Sequence, residues 1–250
     1  STLKSNLVLT VNEIFHSIQG ESTHAGRPCV FVRLTACDLR CSWCDTPYAF
    51  HEGRKMSVDE VVAIVRTYEC PLVEITGGEP LLQKEVYPLM QRLLDDGLTV
   101  MLETGGHRSI AEVPAGVVRV MDVKCPGSGE SHRNDWTNMD HLAPQDEVKF
   151  VIKDRADYDF AKSVVEKYRL LDRVGAVLFS PVHDVMDAQV LAAWILAGGV
   201  AARRGRRWTR SPRPAVAAPP RPRTVRSRSG RASTPGGQGR DARGRTARRP

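Results

Sequence analysis

Short stretches rich in apolar β-formers recur along this chain, and longer stretches with a helical apolar period lie between them. Cys29-Val-Phe-Val-Arg-Leu34 alternates its side chains and predicts the first core strand; residues 72–75, 98–102, 117–122, 147–152 and 176–179 predict five more. Ser57 is an N-cap residue followed by acids and then by apolar residues at helical spacing, so a helix is expected from there to Arg66. Residues 84–96 place Val86, Leu89, Met90, Leu93 and Leu94 on one helical face, with Gly97 as the stop. Residues 157–170 and 187–196 read as two further helices. Val11, Ile14 and Phe15 precede a turn-like Gln19-Gly20-Glu21, and residues 1–10 predict a frayed lead or an edge strand. Strand, polar loop and helix repeat about six times without a GxGxxG, which predicts an α/β fold whose parallel sheet curves into a partial (β/α)6 barrel. Polar and glycine-rich residues stand at the carboxyl ends of the strands, where such folds build their sites.

The last fifty residues break this rhythm. Residues 201–250 hold 16 of the 36 Lys+Arg, all of them arginine, with one acid, Asp241, and no Leu, Ile, Phe, Met, Tyr or Lys. A segment with so little to bury predicts disorder, so 197–250 reads as a basic low-complexity tail behind a folded domain of 1–196. The formal charge of +7 belongs to that tail, because residues 1–200 carry 20 basic and 28 acidic side chains, a net of −8. The folded part gives no invitation to nucleic acid, which leaves at most nonspecific binding by the tail. No apolar run approaches the roughly 20 residues of a membrane span and no secretory signal is visible, so a cytoplasmic protein away from membranes is expected.

Chemistry is concentrated in Cys37-Asp-Leu-Arg-Cys41-Ser-Trp-Cys44-Asp-Thr46, where three of the six cysteines share one loop. Structural zinc usually takes four Cys or His ligands, and no second CxxC or HxxxH supplies the fourth. Disulfides suit neither an odd set nor a chain without a secretory signal. A 4Fe–4S cluster held by three thiolates leaves one iron open for chemistry. Cys29, Cys70 and Cys125 read as small buried residues.

The CxxxCxxC spacing, with Trp43 before its last cysteine, resembles the signature of radical S-adenosylmethionine (SAM) enzymes. Ser17-Ile-Gln-Gly-Glu21, Phe31-Val-Arg33 and Asp45-Thr46-Pro47-Tyr48 narrow the resemblance to the 7-carboxy-7-deazaguanine synthase family of queuosine biosynthesis, the pathway of a tRNA modification, from about Val11 to about Leu196. The resemblance implies a radical SAM partial barrel and a lyase that converts 6-carboxy-5,6,7,8-tetrahydropterin to 7-carboxy-7-deazaguanine with loss of ammonia. Cys37, Cys41 and Cys44 would hold the cluster, whose open iron chelates SAM. A deoxyadenosyl radical would then take hydrogen from substrate C6, with no protein group as acid or base.

By the same resemblance Thr46 binds Mg2+, and Trp43, Asp45, Gly77, Gly78, Glu79, Lys124, Ser128 and Ser180 contact SAM. Ile18, Gln19, Gly20, Glu21, Arg33 and Thr76 contact the pterin. Several of these residues also have a plain structural reading: Asp45 and Thr46 as turn caps, Gly77 and Gly78 as a tight turn, Gln19 and Glu21 as a polar loop, and Arg33 on an exposed strand face. An external one-electron reductant and a homodimer are implied as partners. Family members continue with a short segment carrying His-Lys and an aromatic, whereas this chain turns arginine-rich. That change reads more readily as a frameshift in a GC-rich gene than as an RNA-binding arm, and it would put activity in doubt although the cluster motifs remain. The rival readings are a glycyl-radical-enzyme activase, which shares the cysteines and the Gly-Gly-Glu turn, and a zinc-stabilised RNA-binding module using the tail.

Overall fold

The structure, a computed structural model, describes residues 7–198 and the backbone of Arg203 and Arg204. Apart from those positions, the tail expected from 197 onward lies outside the described residues. In chain order the elements are β1 (Val8–Ile18), β2 (Pro28–Leu34), β3 (Arg54–Ser57), α1 (Val58–Arg66), β4 (Leu72–Gly77), α2 (Val86–Asp95), β5 (Thr99–Thr104), β6 (Val118–Val123), β7 (Glu147–Ile152), α3 (Arg155–Tyr168), β8 (Ala176–Pro181), α4 (Ala188–Ala197) and the two-residue β9 (Arg203–Arg204).

All strands join one sheet in the order β3-β1-β2-β4-β5-β6-β7-β8-β9. From β2 to β9 the pairing is parallel, while β1 pairs antiparallel with both β2 and β3. The six predicted core strands are therefore the parallel body of an open half-barrel, with an antiparallel extension on its N-terminal edge. Local chemistry fixes the helices that flank it. Ser57 and Glu60 close a capping box at α1, Asp154 and Asp187 accept backbone N–H groups at the starts of α3 and α4, and Gly97 takes the left-handed φ of +79° behind α2.

Pairing register separates the two sheet faces. Val30, Val32 and Leu34 share one face with Val73, Ile75, Val100, Leu102, Met121, Val148, Phe150, Val177 and Phe179, all buried. Phe150 and Phe179 stack at 5.6 Å and Tyr158 of α3 tilts over Phe179 at 5.8 Å, so this is the face the helices cover. The opposite face carries Phe31, Arg33, Glu74, Thr76, Met101, Glu103, Asp122, Glu147, Lys149 and Ser180. It is concave: the β1–β2 loop reaches Glu74 on β4 and Lys149 on β7 together, although strands three places apart in a flat sheet lie about 14 Å from each other.

The expected strand–loop–helix repeat is incomplete. β5 reaches β6 without a helix, and β6 reaches β7 through 3-10 turns at Pro126–Ser128, Ser131–Arg133 and Trp136–His141. Glycine and proline punctuate both connections, and side-chain amides hold them instead of a helical ladder. The fully buried Asn138 bonds Ile110 N, Gly106 O and Arg108 O, and Asn134 bonds Lys124 N and O. These rigid loops crowd the carboxyl end of the sheet.

Candidate active site

Cys37, Cys41 and Cys44 lie in the loop behind β2, half-buried, and three neighbouring segments grip that loop. From the loop after β6, Glu130 accepts Arg40 N at 2.6 Å, Ser128 O accepts Ser42 N at 3.0 Å and Gly127 O accepts Ser42 Oγ at 2.9 Å. From the loop after β5, His107 and Arg108 meet the Asp38 carboxylate at 2.6 and 2.5 Å, and Arg133 joins them at 2.9 Å. Burial alone would raise the Asp38 carboxyl, but the bonds and charges of His107 and Arg108 outweigh it and hold the group at about 2.

The third grip is the Gly77-Gly78-Glu79 turn behind β4. Gly78 N donates to Leu34 O at 3.1 Å and Glu79 N to Ala36 O at 2.8 Å, which lays the turn directly on the chain that leads into Cys37. A Cβ on Gly77, which sits at φ +134°, would come within 2.2 Å of Leu34 O; one on Gly78 would come within 2.1 Å of Ala36 O. Glycine is required here for contact between two backbones, a reason that spacing alone did not supply. Ala36 itself takes φ +81°, so the entry to the cysteine loop is conformationally strained.

Burial pushes the Cys37 thiol up, and the Cys41 thiol up to about 11 with Lys124 opposing the shift. Lys124 is held at 2.8 Å by Asp122, beside these sulfurs. A thiol in this setting gives up its proton to a metal rather than to water. Among the described residues no three of His, Cys, Asp and Glu converge closely enough for a single metal ion; an iron–sulfide cube is wider and accepts thiolates from farther apart. Thr46 makes no side-chain capping bond, and its Oγ1 lies 4.0 Å from Cys44 Sγ.

At the other end of the concave face, the β1–β2 loop forms a floor. Gln19 is 3% exposed; its amide nitrogen donates to Glu74, and its oxygen accepts Glu21 N at 3.0 Å. Thr23 donates its N–H and hydroxyl to Glu147, and Glu21 pairs with Lys149, which also bonds Glu103 at 2.8 Å. Thr76 donates to Glu103 at 3.0 Å. Above the floor, Arg33 lies between the rings of Phe15 and Tyr48, at 5.8 and 6.0 Å, with Nε on Glu13 at 2.8 Å. Among the described residues its terminal nitrogens make no hydrogen bond. The buried atoms Ser180 Oγ and Asp122 Oδ1 likewise have no partner there, and unspent polar atoms on a concave surface are what a polar ligand needs.

The structure thus gathers Cys37, Cys41, Cys44, Thr46, Gly77, Gly78, Lys124 and Ser180 at the carboxyl end, and Gln19, Glu21, Arg33 and Thr76 on the concave face below. Arg33 is not on a solvent face; its side chain is 15% exposed. Trp43 and Gly20 are half-buried and Asp45 is exposed. Three expected contacts stand differently. The Glu79 carboxylate, 1% exposed, is occupied by Thr104 Oγ1, Gly105 N and Leu81 N, so only the turn's backbone faces outward. Ser128 spends its hydroxyl on Cys125 O and Glu130 N. Ile18 is 58% exposed, which leaves its backbone rather than its side chain for the floor. Sequence reading missed Glu74, Glu103, Asp122 and Lys149; the available signal was a charge at an alternate position inside each of four apolar strands.

Burial raises the Glu74 carboxyl to about 8, helped by the negative charges of Glu103 and Glu21 and opposed by the Gln19 bond. Unfolded, the same group loses its proton near the ordinary 4.5, so over that window the folded chain binds the extra proton. Its contribution is therefore fully present below about 4.5 and is lost as pH rises toward 8. Thermal melts between about pH 5 and about pH 9 should show a decline in Tm that Glu74→Gln flattens; parallel curves for the two proteins would contradict this assignment.

Residues 32–184 match the family described as the radical SAM superfamily. A 7-carboxy-7-deazaguanine synthase of Koribacter versatilis (strain Ellin345) is 50% identical over 202 residues, covering 75% of this chain and 89% of that protein. The like-named protein of Chlorobaculum tepidum is 40% identical over 191 residues, covering 75% and 86%. The crystal structure of QueE from Escherichia coli is similar with a TM-score of 0.67, over 81% of this chain and 98% of that one, at 20% identity, a likeness of fold.

Proposed function

We propose that this chain, which belongs to the radical SAM superfamily and within it to the 7-carboxy-7-deazaguanine synthases, holds 6-carboxy-5,6,7,8-tetrahydropterin upright on its concave face and converts it to 7-carboxy-7-deazaguanine with loss of ammonia. The chain is a radical SAM enzyme of 7-deazapurine biosynthesis. The observation that carries the orientation is Arg33: its Nε is fixed by Glu13, two rings lie beside it, and its terminal N–H groups are unspent among the described residues. A guanidinium so prepared fits the substrate carboxylate as a two-pronged donor. The opposite, guanidine-like edge of the pterin then meets the floor, where Gln19, Glu21, Glu74, Glu103 and Lys149 offer donors and acceptors together.

Cys37, Cys41 and Cys44 would hold a 4Fe–4S cluster, and the backbone of the Gly77-Gly78-Glu79 turn, with Lys124 and Ser180, would hold SAM. When bound, these groups supply reductive cleavage of SAM and the radical that takes hydrogen from substrate C6. The protein's share is placement: Arg33 and Thr76 fix the carbon to be attacked beneath the turn, and the floor network sets its depth. The hydroxyl of Thr46, unused as a cap, suits Mg2+ beside the substrate carboxylate. An external one-electron reductant, a homodimer and a cytoplasmic setting belong to the same reading; among the described residues no helix is long and apolar enough to cross a membrane. The activase and RNA-module readings gain no support from the relatives.

Anaerobic incubation of the iron-reconstituted protein with SAM, Mg2+, a reductant and the carboxytetrahydropterin should yield 7-carboxy-7-deazaguanine, identified by chromatography. A colourless zinc protein, or SAM cleavage with no deazaguanine, would contradict the proposal.

A further inference from the structure

We propose that Asp38 and His107 form a positioning bridge that sets the cysteine loop in register with the Gly77-Gly78-Glu79 turn, so that the cluster and SAM meet at a fixed distance. This rests on the functional reading above. The CxxxCxxC spacing asks nothing of the residue after its first cysteine, yet Asp38 there collects three side chains. His107 Nε2 stands 2.6 Å from Oδ1, Arg108 and Arg133 donate to Oδ2 at 2.5 and 2.9 Å, and Arg133 also reaches the Asp38 carbonyl at 3.3 Å.

His107 is the member that connects two parts of the site. Its ring is 1% exposed, and its other nitrogen, Nδ1, packs 3.7 Å from Glu79 Oε2, beyond hydrogen-bond distance and with no bonded partner among the described residues. The Asp38 carboxylate already accepts from two guanidinium groups, so it is an acceptor toward the ring as well, and Nε2 carries the proton that joins them. Glu79 is the anchored end: Thr104, Gly105 and Leu81 hold its carboxylate at 2.8–3.0 Å. A cysteine loop needs no buried imidazole to fold, since backbone bonds to Ser128, Glu130 and Ala49 already shape it. The ring lies instead between Asp38 of the loop and Glu79 of the turn, filling the space between them. Residues behind the ligands of a metal site act in this way, by fixing where the ligands point.

The test compares the full chain, reconstituted anaerobically, with His107→Phe, His107→Gln and Asp38→Asn. Iron content is measured for each, and SAM affinity is read from the change in the electron paramagnetic resonance spectrum of the reduced cluster as SAM is added. The bridge predicts full iron content in His107→Phe with SAM affinity about tenfold weaker, a smaller loss in Asp38→Asn, and recovery of most of the affinity in His107→Gln, whose amide can still donate to Asp38. SAM affinity unchanged in His107→Phe would overturn it. So would iron loss as deep as in a Cys37→Ala control, which would make His107 a folding element. Should His107→Phe fail to fold, Asp38→Asn with unaltered SAM affinity overturns the bridge equally. An unsubstituted chain that takes up no cluster overturns the functional reading, and the bridge with it.

Discussion

Lys149→Met is expected to lower the unfolding free energy by on the order of 2–4 kcal/mol and product formation by about 10–100-fold. The lysine side chain is 8% exposed and lies between Glu21 and Glu103. Burial disfavours its charge, but the two carboxylates more than compensate and raise its pKa far above the ordinary lysine value. Burial also acts against the charge of Glu103, and Lys149 with Thr76 brings that carboxyl down to about 2. Methionine matches the length of the stem and removes the charge, so Glu21 and Glu103 would lose the cation that joins them. Glu21 and Glu103 keep 23% and 30% side-chain exposure, which is why the expected loss sits below the full cost of breaking a sealed ion pair. Urea unfolding measures the first effect and steady-state turnover the second. Because Cys37, Cys41 and Cys44 lie in the loop behind β2, outside this ion-pair network, iron content should stay intact. Unchanged stability would mean that the carboxylates take up protons or water at no cost.

How much of this was written in the sequence depends on which side of the sheet a residue faces. Helix-side positions such as Val30, Val73, Leu102, Val148 and Phe179 are apolar, with Arg119 on β6 a buried exception paired to Asp146, and the strands could be placed from the apolar ones. Ser57 with Glu60, Gly97 and Asp187 announced helix ends through local bonds that stay within a few residues. The concave side was harder to read, because its partners are remote. Gln19 meets Glu74 across 55 residues and Glu21 meets Lys149 across 128, so neither charge has a local sign of what will neutralise it. Glu74 and Lys149 therefore stand inside apolar strands with no local sign of their role.

The cysteine loop was fully legible and its surroundings were not. Nothing local in Asp38, His107, Arg108 or Arg133 marks a common contact, and the paired glycines suggested a ligand where the closest neighbour is the backbone of Leu34 and Ala36. The missing helix between β5 and β6 has the same origin. Residues 105–117 lack an apolar helical face, and the loop is held by Asn138, some thirty residues away.

Arg33→Lys should lower kcat/KM for the carboxytetrahydropterin by about 10–100-fold, the worth of a charge-assisted bond to a carboxylate. Lysine keeps the charge but offers one point of donation in place of two prongs, and it loses the planar contact between Phe15 and Tyr48. The substrate would then still enter, held by the floor, with its reacting carbon no longer fixed beneath the turn. Misplacement of that kind separates cleavage of SAM from conversion of substrate. The decisive measurement is therefore the ratio of 7-carboxy-7-deazaguanine to 5′-deoxyadenosine formed by the unsubstituted protein and by Arg33→Lys under the same anaerobic conditions. A ratio that falls at least tenfold in the variant, with SAM cleavage continuing, is the result predicted for a carboxylate held by Arg33. An unchanged ratio and an unchanged KM for the pterin would place the substrate carboxylate elsewhere and contradict the upright pose.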